Sequence, residues 1–391
     1  MRILHVTDTF LPRLGGIELH VADLAARQVA AGHEVLVLTG EQQTPVADDA
    51  PAERAGVEVA RMRSSITGTG IAVSLGPVIA GFAPDVIHAH LSVGSPFTWA
   101  VLRNTAGTPV LASLHSLLPR LPRLIRAGLA ATGIPTSRTT FTAVSDVAAE
   151  RLRPALPAGE PVHVLHNGID PGRWVVAHEP SDAFEILSVG RLAARKRPLV
   201  LVEALAELTA AVPDLAWRAT LVGDGAQRAK VAAAVHAHGL ADRVRLPGAR
   251  DRSGIRRLLA RADVFVAPAT LESFGIAALE ARCAGVPVLG MAASGVTEFV
   301  TDGTEGLLAR DDADLARCLA RLATDRGLLE SIRRHNATTS VPMGWSSVLD
   351  DHDRLYATAV RRSAPGVLHL AAPVDPAARR DPIAQPARFV S

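Results

Sequence analysis

A chain of 391 residues exceeds what one hydrophobic core usually holds and implies two domains, and a hydrophobic share of 48% is ample for both cores. Lysine and arginine total 41 against 39 aspartate and glutamate, which excludes a polycation that tracks nucleic acid; aromatics at 4%, with one tyrosine, exclude a base-stacking platform. Two cysteines, Cys283 and Cys318, supply neither a disulfide framework nor a zinc spacing and fit a reducing compartment.

The opening run Met1–Thr7 is too short an apolar run for a signal peptide and reads as a first strand. No apolar run of about 18 residues marks a membrane span. From there, short β-rich runs alternate with Ala/Leu-rich helical patterns, which predicts βαβ units and parallel sheets. The first series of strands is expected over Ile3–Asp8, Glu34–Thr39, Val57–Met62, Val86–His90, Val110–His115, Phe141–Val144 and Val162–Leu165. A helix over Ile17–Ala31, stopped by Gly32, is the clearest between them. The second series is expected over Ile186–Val189, Ala219–Val222, Val244–Leu246, Val264–Ala267 and Val288–Met291. The polar segment Val175–Asp182 separates the two series and reads as a linker. The expected fold is therefore α/β, with two Rossmann-like doubly wound domains over 1–175 and 184–342. Met343–Val360 has helical spacing at Trp345, Val348, Leu349, Leu355 and Tyr356. Arg361–Ser391 is rich in Pro, Ala and Arg without periodicity and is expected to be disordered, the alternative being a basic arm for a partner or membrane.

The sharpest local signal is the pair Glu272 and Glu280. The strand ending at Ala267 runs into Pro268 and then a loop carrying Glu272, Ser273, Phe274 and Gly275. Ile276–Ala284 follows as a helix, with Gly285 as its stop. One carboxylate thus sits on a loop at a strand's C-terminal end, and the other about one turn into the next helix. Gly275 lets a ligand approach the helix N-terminus, where free N–H groups and the dipole favour phosphate. Anion-binding amides beside two carboxylates suit a ligand that is part phosphate and part polyol.

Other loops after strands add to this. Gly15-Gly16 opens a strand-to-helix turn where backbone amides come close to an anion, but its spacing is not the GxGxxG of a dinucleotide fold. Gly190-Arg191-Leu-Ala-Ala-Arg195-Lys196-Arg197 puts four cations after a strand, where Arg191 and Lys196 are placed to neutralise a diphosphate. Gly223-Asp-Gly225 reads as a ligand-facing turn or as a plain strand-to-helix turn. Asp312-Ala-Asp314 and Asp351-His-Asp353 read as caps or surface groups, not metal pairs. His88 and His90 share one face of a strand; a metal there would want a third ligand and nearby carboxylates. His115 ends its strand and is the best single histidine for touching a substrate. Leu117–Leu129 mixes apolar residues with arginines, and either rests weakly on anionic lipid or is a helix with a basic exposed face interrupted by prolines.

Together these residues resemble the retaining nucleotide-sugar glycosyltransferases of family 4, which have the GT-B architecture of two facing domains. The resemblance runs from Met1 to about Val360. It rests on Glu272 to Glu280 with Phe274-Gly275 inside and Ala284-Gly-Val-Pro-Val288 after, on Gly15-Gly16 before Glu18 and Gly32-His-Glu-Val35, and on Asn167-Gly-Ile-Asp170. Gly190-Arg191 with Lys196, Leu221-Val-Gly-Asp-Gly225 and Asp302-Gly-Thr-Glu-Gly-Leu307 complete it. The resemblance implies that Arg191 and Lys196 hold a diphosphate, assisted by amides at Phe274, Gly275 and Ile276 and at Gly15 and Gly16, with Gly223 also on the donor side. It implies that Glu280 binds the ribose, that Glu272 and His115 contact the transferred sugar, and that the 343–360 helix crosses back to the first domain. Two positions depart from the pattern: Arg197-Pro198 stands where a glycine is usual after the lysine, and Ser294-Gly-Val-Thr-Glu298 where Gly-Gly-(Ile/Val)-Pro-Glu is common.

The resulting expectation is a cytoplasmic enzyme, peripheral at most to the inner membrane face. It moves a hexosyl group from a nucleotide diphosphate sugar to a glycan, polyol or lipid-linked acceptor, with retention and with no metal or other cofactor. A GT-B epimerase and a catalytically silent nucleotide-sugar-binding protein are the alternatives. The acceptor is expected at first-domain loops around Gly68–Gly70, His88–Gly94 and His115–Gly133.

Overall fold

In the computed structural model the residues described are 1–13, 15–41, 56–62, 77–103, 105 and 107–363. The expected acceptor loop at Gly68–Gly70 and residues 364–391 of the tail lie outside them. Two parallel sheets carry the fold. The first holds β1 (Arg2–Thr7), β2 (Glu34–Thr39), β3 (Glu58–Arg61), β4 (Val86–Leu91), β5 (Val110–Leu114), β6 (Thr139–Ala143) and β7 (Val162–Val164), in the order β3-β2-β1-β4-β5-β6-β7. The second holds β8 (Phe184–Val189), β9 (Trp217–Val222), β10 (Val244–Gly248), β11 (Val264–Ala267), β12 (Val288–Met291) and β13 (Gly306–Ala309), in the order β10-β9-β8-β11-β12-β13. Strands such as β4 and β5 are buried along their whole length, as strands covered on both faces must be. The fold class is the α/β, doubly wound, Rossmann-like pair that the alternation predicts.

The strand order reverses beside β1 in the first sheet and beside β8 in the second. Open α/β sheets bind ligands outside the carboxyl ends of strands at such points. The loops that leave β1, β5, β8 and β11 there contain Gly15-Gly16, His115, Lys196 and Glu272.

Helix α1 (Gly16–Ala30) follows β1, and its residues Val21, Leu24 and Ala25 are buried. Helices α2 (Pro96–Leu102), α3 (Pro122–Thr132) and α4 (Asp146–Leu152) also belong to the first unit. Pro122 stands in the first turn of α3, where its missing N–H costs nothing. The proline expected to interrupt this segment instead starts it, and Leu117 and Leu118 before it are buried. The second unit carries α5 (Pro198–Ala211), α6 (Arg228–Ala237), α7 (Arg252–Leu259), α8 (Ile276–Cys283), α9 (Asp312–Thr324) and α10 (Arg326–Thr338). The sequence reading missed β13. It is only four residues long, and a Cβ on Gly306 would lie 1.8 Å from the Val288 carbonyl oxygen, so this edge strand pairs closely only because its first residue is glycine.

The last helix, α11 (Trp345–Ser363), packs on β4, β5 and β6 of the first sheet. Its Trp345 ring stacks on His20 with centroids 5.6 Å apart, and the Arg27 guanidinium lies 4.4 Å over the indole. Trp345 N–H donates to the Ile169 carbonyl at 3.1 Å. Gly168 makes room for the indole: a Cβ there would stand 2.4 Å from Trp345 Cε3. Gly168→Ala is therefore expected to displace the start of α11 and lower the unfolding free energy by about 1–3 kcal/mol in chemical denaturation.

Candidate active site

The donor half begins where β8 ends. Gly190 and Arg191 leave the strand, and a 3-10 turn over Ala194–Lys196 follows. Gly223 is at φ +134°, and a Cβ on it would stand 2.0 Å from the Gly190 carbonyl oxygen. On Gly225 a Cβ would stand 2.5 Å from that of Leu192. This glycine pair therefore lets the β9 loop lie against the Arg191 loop and fixes its shape. Lys196 Nζ is ion-paired with Glu272. Arg191 is exposed, and its guanidinium has no partner among the described residues. Arg197 turns away: it donates to the Pro268 carbonyl at 3.2 Å and to Asp312 at 2.7 Å. The four cations of the sequence motif thus divide, with Arg197 serving structure and Lys196 facing the carboxylate loop.

Across from them, β11 runs into the loop of Glu272, Ser273 and Phe274. Gly275 is in the left-handed region at φ +94°, and α8 starts at Ile276. The Phe274 ring is buried against Phe299 and His166, so only its backbone amide remains for a ligand. A Cβ on Gly16 would lie 3.5 Å from Ile276 Cδ1, so the starts of α1 and α8 meet face to face across the two units. Two helix N-termini converging on one crevice concentrate unpaired N–H groups and positive dipole ends. Gly15 is extended, and a Cβ on it would meet the buried Glu18 carboxylate at 2.3 Å.

Glu280 lies one turn into α8 and is 9% exposed. Burial pushes its carboxyl up from 4.5 to about 8, partly opposed by the Arg252 guanidinium. Arg252 is itself committed to Asp23 of α1, at 2.5 and 3.3 Å, an ion pair that joins the two units.

His115 is buried beneath this crevice. Its carbonyl accepts from Ser273 Oγ at 2.6 Å, which ties the end of β5 to the Glu272 loop. A second tie comes from Glu298, whose carboxylate accepts from the Asp146 N–H at the start of α4 and from His166 Nε2, both at 2.7 Å. Among the expected site residues, Gly16 lies against Ile276, Lys196 pairs with Glu272, and Ser273 ties the Glu272 loop to His115, so Gly15, Gly16 and His115 of the first unit adjoin Lys196 and the Glu272, Phe274, Gly275 and Ile276 loop of the second, with Arg191 and Gly223 beside the lysine loop and Glu280 one turn into α8. Sequence reasoning missed Ser273, Glu298, Asp23 and Arg252 as links between units. Glu298 was visible only as the last residue of a departing segment; nothing in spacing flagged the others.

Asp311 caps α9 by accepting from the Asp314 N–H, Asp312 pairs with Arg197, and Asp351 and Asp353 pair with Arg354 and His33, the cap and surface roles expected of them. His88 and His90 do acquire a third histidine, His5 of β1, with all three rings buried and their nitrogens within 4.8 Å of one another. All six ring nitrogens of the three are already engaged in hydrogen bonds. No helix among the described residues is long and apolar enough to cross a membrane.

Comparison with known proteins places the chain in a family and a fold. A family model described as Glycosyltransferase Family 4 matches residues 14–173, and one described as Glycosyl transferases group 1 matches residues 175–339. A D-inositol 3-phosphate glycosyltransferase of Stackebrandtia nassauensis is 30% identical over 312 residues, covering 72% of this chain and 69% of its own. A glycogen synthase of Mycobacterium tuberculosis is 26% identical over 408 residues, covering 92% and 95%. Among solved structures, Anabaena HepE in complex with UDP and glucose superposes with a TM-score of 0.73 at 20% identity, covering 92% of this chain and 100% of that one. A glycosyltransferase from Rickettsia africae gives 0.71 at 17% identity, covering 92% and 98%. At these identities the solved structures speak for the fold.

The Glu280 carboxyl makes a pH prediction. It holds a proton in the folded chain that the unfolded chain releases above 4.5, so its contribution to stability is full below that value and is lost as pH rises through about 8. Glu280→Gln removes this dependence. Between about pH 5 and pH 8 the wild type is expected to lose on the order of 2–4 kcal/mol of unfolding free energy relative to the variant, measured by denaturant titration at each pH.

Proposed function

The chain belongs to the family 4 glycosyltransferases, glycosyl transferases group 1, and on that footing we propose that it is a retaining hexosyltransferase using a nucleotide diphosphate sugar. The observation that carries this is the placing of Lys196 and Glu272 at the carboxyl end of the second sheet, facing the His115 end of the first through the Ser273 bond.

In this reading Arg191 and Lys196 bind the diphosphate together with the free amides at the start of α8. Charge builds on the departing phosphate oxygen as the sugar's C1–O bond breaks, and fixed cations and helix N–H groups stabilise it there. The reading needs no divalent ion for that step. Glu280, protonated at neutral pH, is able both to donate to and to accept from adjacent ribose hydroxyls. Glu272 and His115 contact the hydroxyls of the transferred sugar. The acceptor oxygen bonds to C1 from the face the diphosphate leaves and passes its proton to the departing phosphate oxygen, which retains configuration, and no side chain is assigned as a nucleophile. Anabaena HepE binds UDP-glucose, and the similar proteins include a D-inositol 3-phosphate glycosyltransferase and a glycogen synthase; a UDP-hexose donor and a polyol or glycan acceptor are the corresponding proposals here. Isomerisation of donor alone would favour an epimerase, and binding without turnover a silent receptor.

A panel of nucleotide diphosphate sugars, tested in buffer containing EDTA, is expected to raise the apparent melting temperature with one preferred donor. Lys196→Ala and Glu280→Ala are each expected to lower kcat/KM for that donor by about 10²–10³. Unchanged affinity and turnover in both variants would overturn the assignment.

The membrane reading now rests on α3 and the residue before it. Leu121 and Leu124 are 53% and 67% exposed, beside exposed Arg120 and Arg123, while Arg126 is tied to the Pro154 carbonyl. We propose weak peripheral contact with anionic lipid through this face. It predicts co-sedimentation with phosphatidylserine vesicles that falls with salt and is lost in a Leu121→Ser/Leu124→Ser double variant. Equal sedimentation of wild type and variant would remove it.

A further inference from the structure

The first unit buries a line of polar side chains of which the catalytic reading uses only His115. His115 Nε2 meets His90 Nδ1 at 2.9 Å, and His90 Nε2 meets His5 Nδ1 at 2.9 Å. His5 Nε2 meets Gln28 Oε1 of α1 at 2.7 Å, and Gln28 Nε2 donates to Tyr356 Oη of α11 at 2.9 Å. Tyr356 Oη meets His88 Nδ1 at 2.9 Å, His88 Nε2 meets Ser113 Oγ at 2.8 Å, and Ser113 Oγ meets Thr142 Oγ1 at 2.6 Å. Eight side chains from β1, α1, β4, β5, β6 and α11 thus form one unbranched chain, beginning at the histidine of the crevice.

The donors can be assigned along its length. Burial holds every histidine in it below its ordinary pKa, to about 4 for His5 and about 3 for His115, so each ring is neutral and has one donor and one acceptor nitrogen. Gln28 presents its oxygen to His5, so His5 carries its proton on Nε2 and accepts at Nδ1. His90 must then carry its proton on Nε2, and so must His115. On the other side Tyr356 accepts from Gln28 and donates to His88, which donates to Ser113. Turning the Gln28 amide end for end would reverse every one of these bonds together. A neutral histidine chain therefore has two polarities, and the residue that selects between them is in the core, remote from the crevice.

We infer that Gln28 and Tyr356 are positioning residues that set the tautomer of His115 through His5 and His90. The consequence falls on His115 Nδ1, which has no partner among the described residues. With the polarity assigned, Nδ1 is an acceptor; with the chain reversed it is a donor. A sugar hydroxyl bound there would have to exchange its own role. This consequence rests on the proposed contact between His115 and the sugar, whereas the tautomer itself does not. The arrangement also gives α11 a task beyond covering the sheet, because its only tyrosine is a member of the chain. The same histidines are the candidate metal set, but ligation would have to break bonds that already occupy all six nitrogens of His5, His88 and His90.

The test reads tautomers directly, in full-length protein labelled with ¹⁵N-histidine, by two-bond ¹H–¹⁵N correlation. The wild type is expected to show His115 protonated on Nε2. Gln28→Leu removes the acceptor for His5, and a buried orphan N–H is worse tolerated than a bare ring nitrogen. Tyr356→Phe removes the acceptor for the Gln28 amide and favours the turned amide. Both variants are expected to move the His115 proton to Nδ1. With donor and acceptor supplied, kcat is expected to fall about tenfold while donor KM changes less than about threefold, a loss of roughly the size of one hydrogen bond. An unchanged His115 tautomer in the folded variant, either one sufficing should the other fail to fold, overturns the inference. So does one equivalent of Zn²⁺ shifting His5, His88 and His90 together in the wild type, which would make them a metal centre. Absence of transfer by the wild type would sink the functional reading while leaving the tautomer result to stand on its own.

Discussion

The bond from Ser273 Oγ to the His115 carbonyl is the constraint on which the site depends. A neutral hydrogen bond contributes only about 1 kcal/mol net, so it does not hold two domains together by itself. Its importance is register. One end is backbone at the close of β5, and the other is a side chain on the loop that carries Glu272. It therefore fixes the distance between the carboxyl edges of the two sheets where the reacting centre is proposed to sit. The Glu298 bridge to Asp146 and His166, and the Asp23–Arg252 pair, act at neighbouring points around the same crevice. In a reaction governed by positioning, a shift of about 1 Å is enough to cost a hundredfold in rate, so several modest ties placed around the site matter more than one strong one.

Most of the architecture was legible because parallel strands buried on both faces write themselves as short apolar runs between longer amphipathic ones. Glu34–Thr39, Val264–Ala267 and Val288–Met291 have the bounds the pattern predicts. The Glu272–Glu280 segment was legible too, since a proline, a glycine and two carboxylates at a strand-to-helix turn allow few other uses. What could not be read is what depends on partners far along the chain. Ser273 meets His115 across 158 positions, and Glu298 meets Asp146 across 152. Neither leaves a periodic trace. β13 was missed for a local reason: a four-residue edge strand with a glycine at its head carries too little pattern to stand out from a turn.

The buried histidines belong to the same class. Alternation on β4 shows that His88 and His90 share a face, but a strand pattern says nothing of what lies over that face. In the fold it is α1 and α11, which bring Gln28 and Tyr356 and turn three costly buried rings into satisfied ones. This ties the C-terminal helix to the interior of the first unit by polarity as well as by area. Apolar packing of α11 is tolerant of small shifts, whereas a chain of bonds between 2.6 and 2.9 Å is not. The helix that returns from the second unit is thereby held in one register against the strands that end at the crevice.

Arg197 shows how a departure from a family pattern is absorbed. Its backbone is in the left-handed region at φ +54° and ψ +44°, a conformation that explains why glycine is usual after the lysine. A residue with a Cβ pays roughly 1–2 kcal/mol there. Two features compensate: Pro198 has its φ fixed already for the first turn of α5, and the guanidinium is held by Asp312 and the Pro268 carbonyl. Asp312 stands in the first turn of α9, and Pro268 lies at the end of β11, so the side chain that replaces glycine also braces the lysine loop against the two elements beside it. The substitution thus exchanges backbone freedom for side-chain anchoring and leaves Lys196 directed at Glu272. That is why losing the glycine does not disturb the positions on which diphosphate binding is proposed to depend.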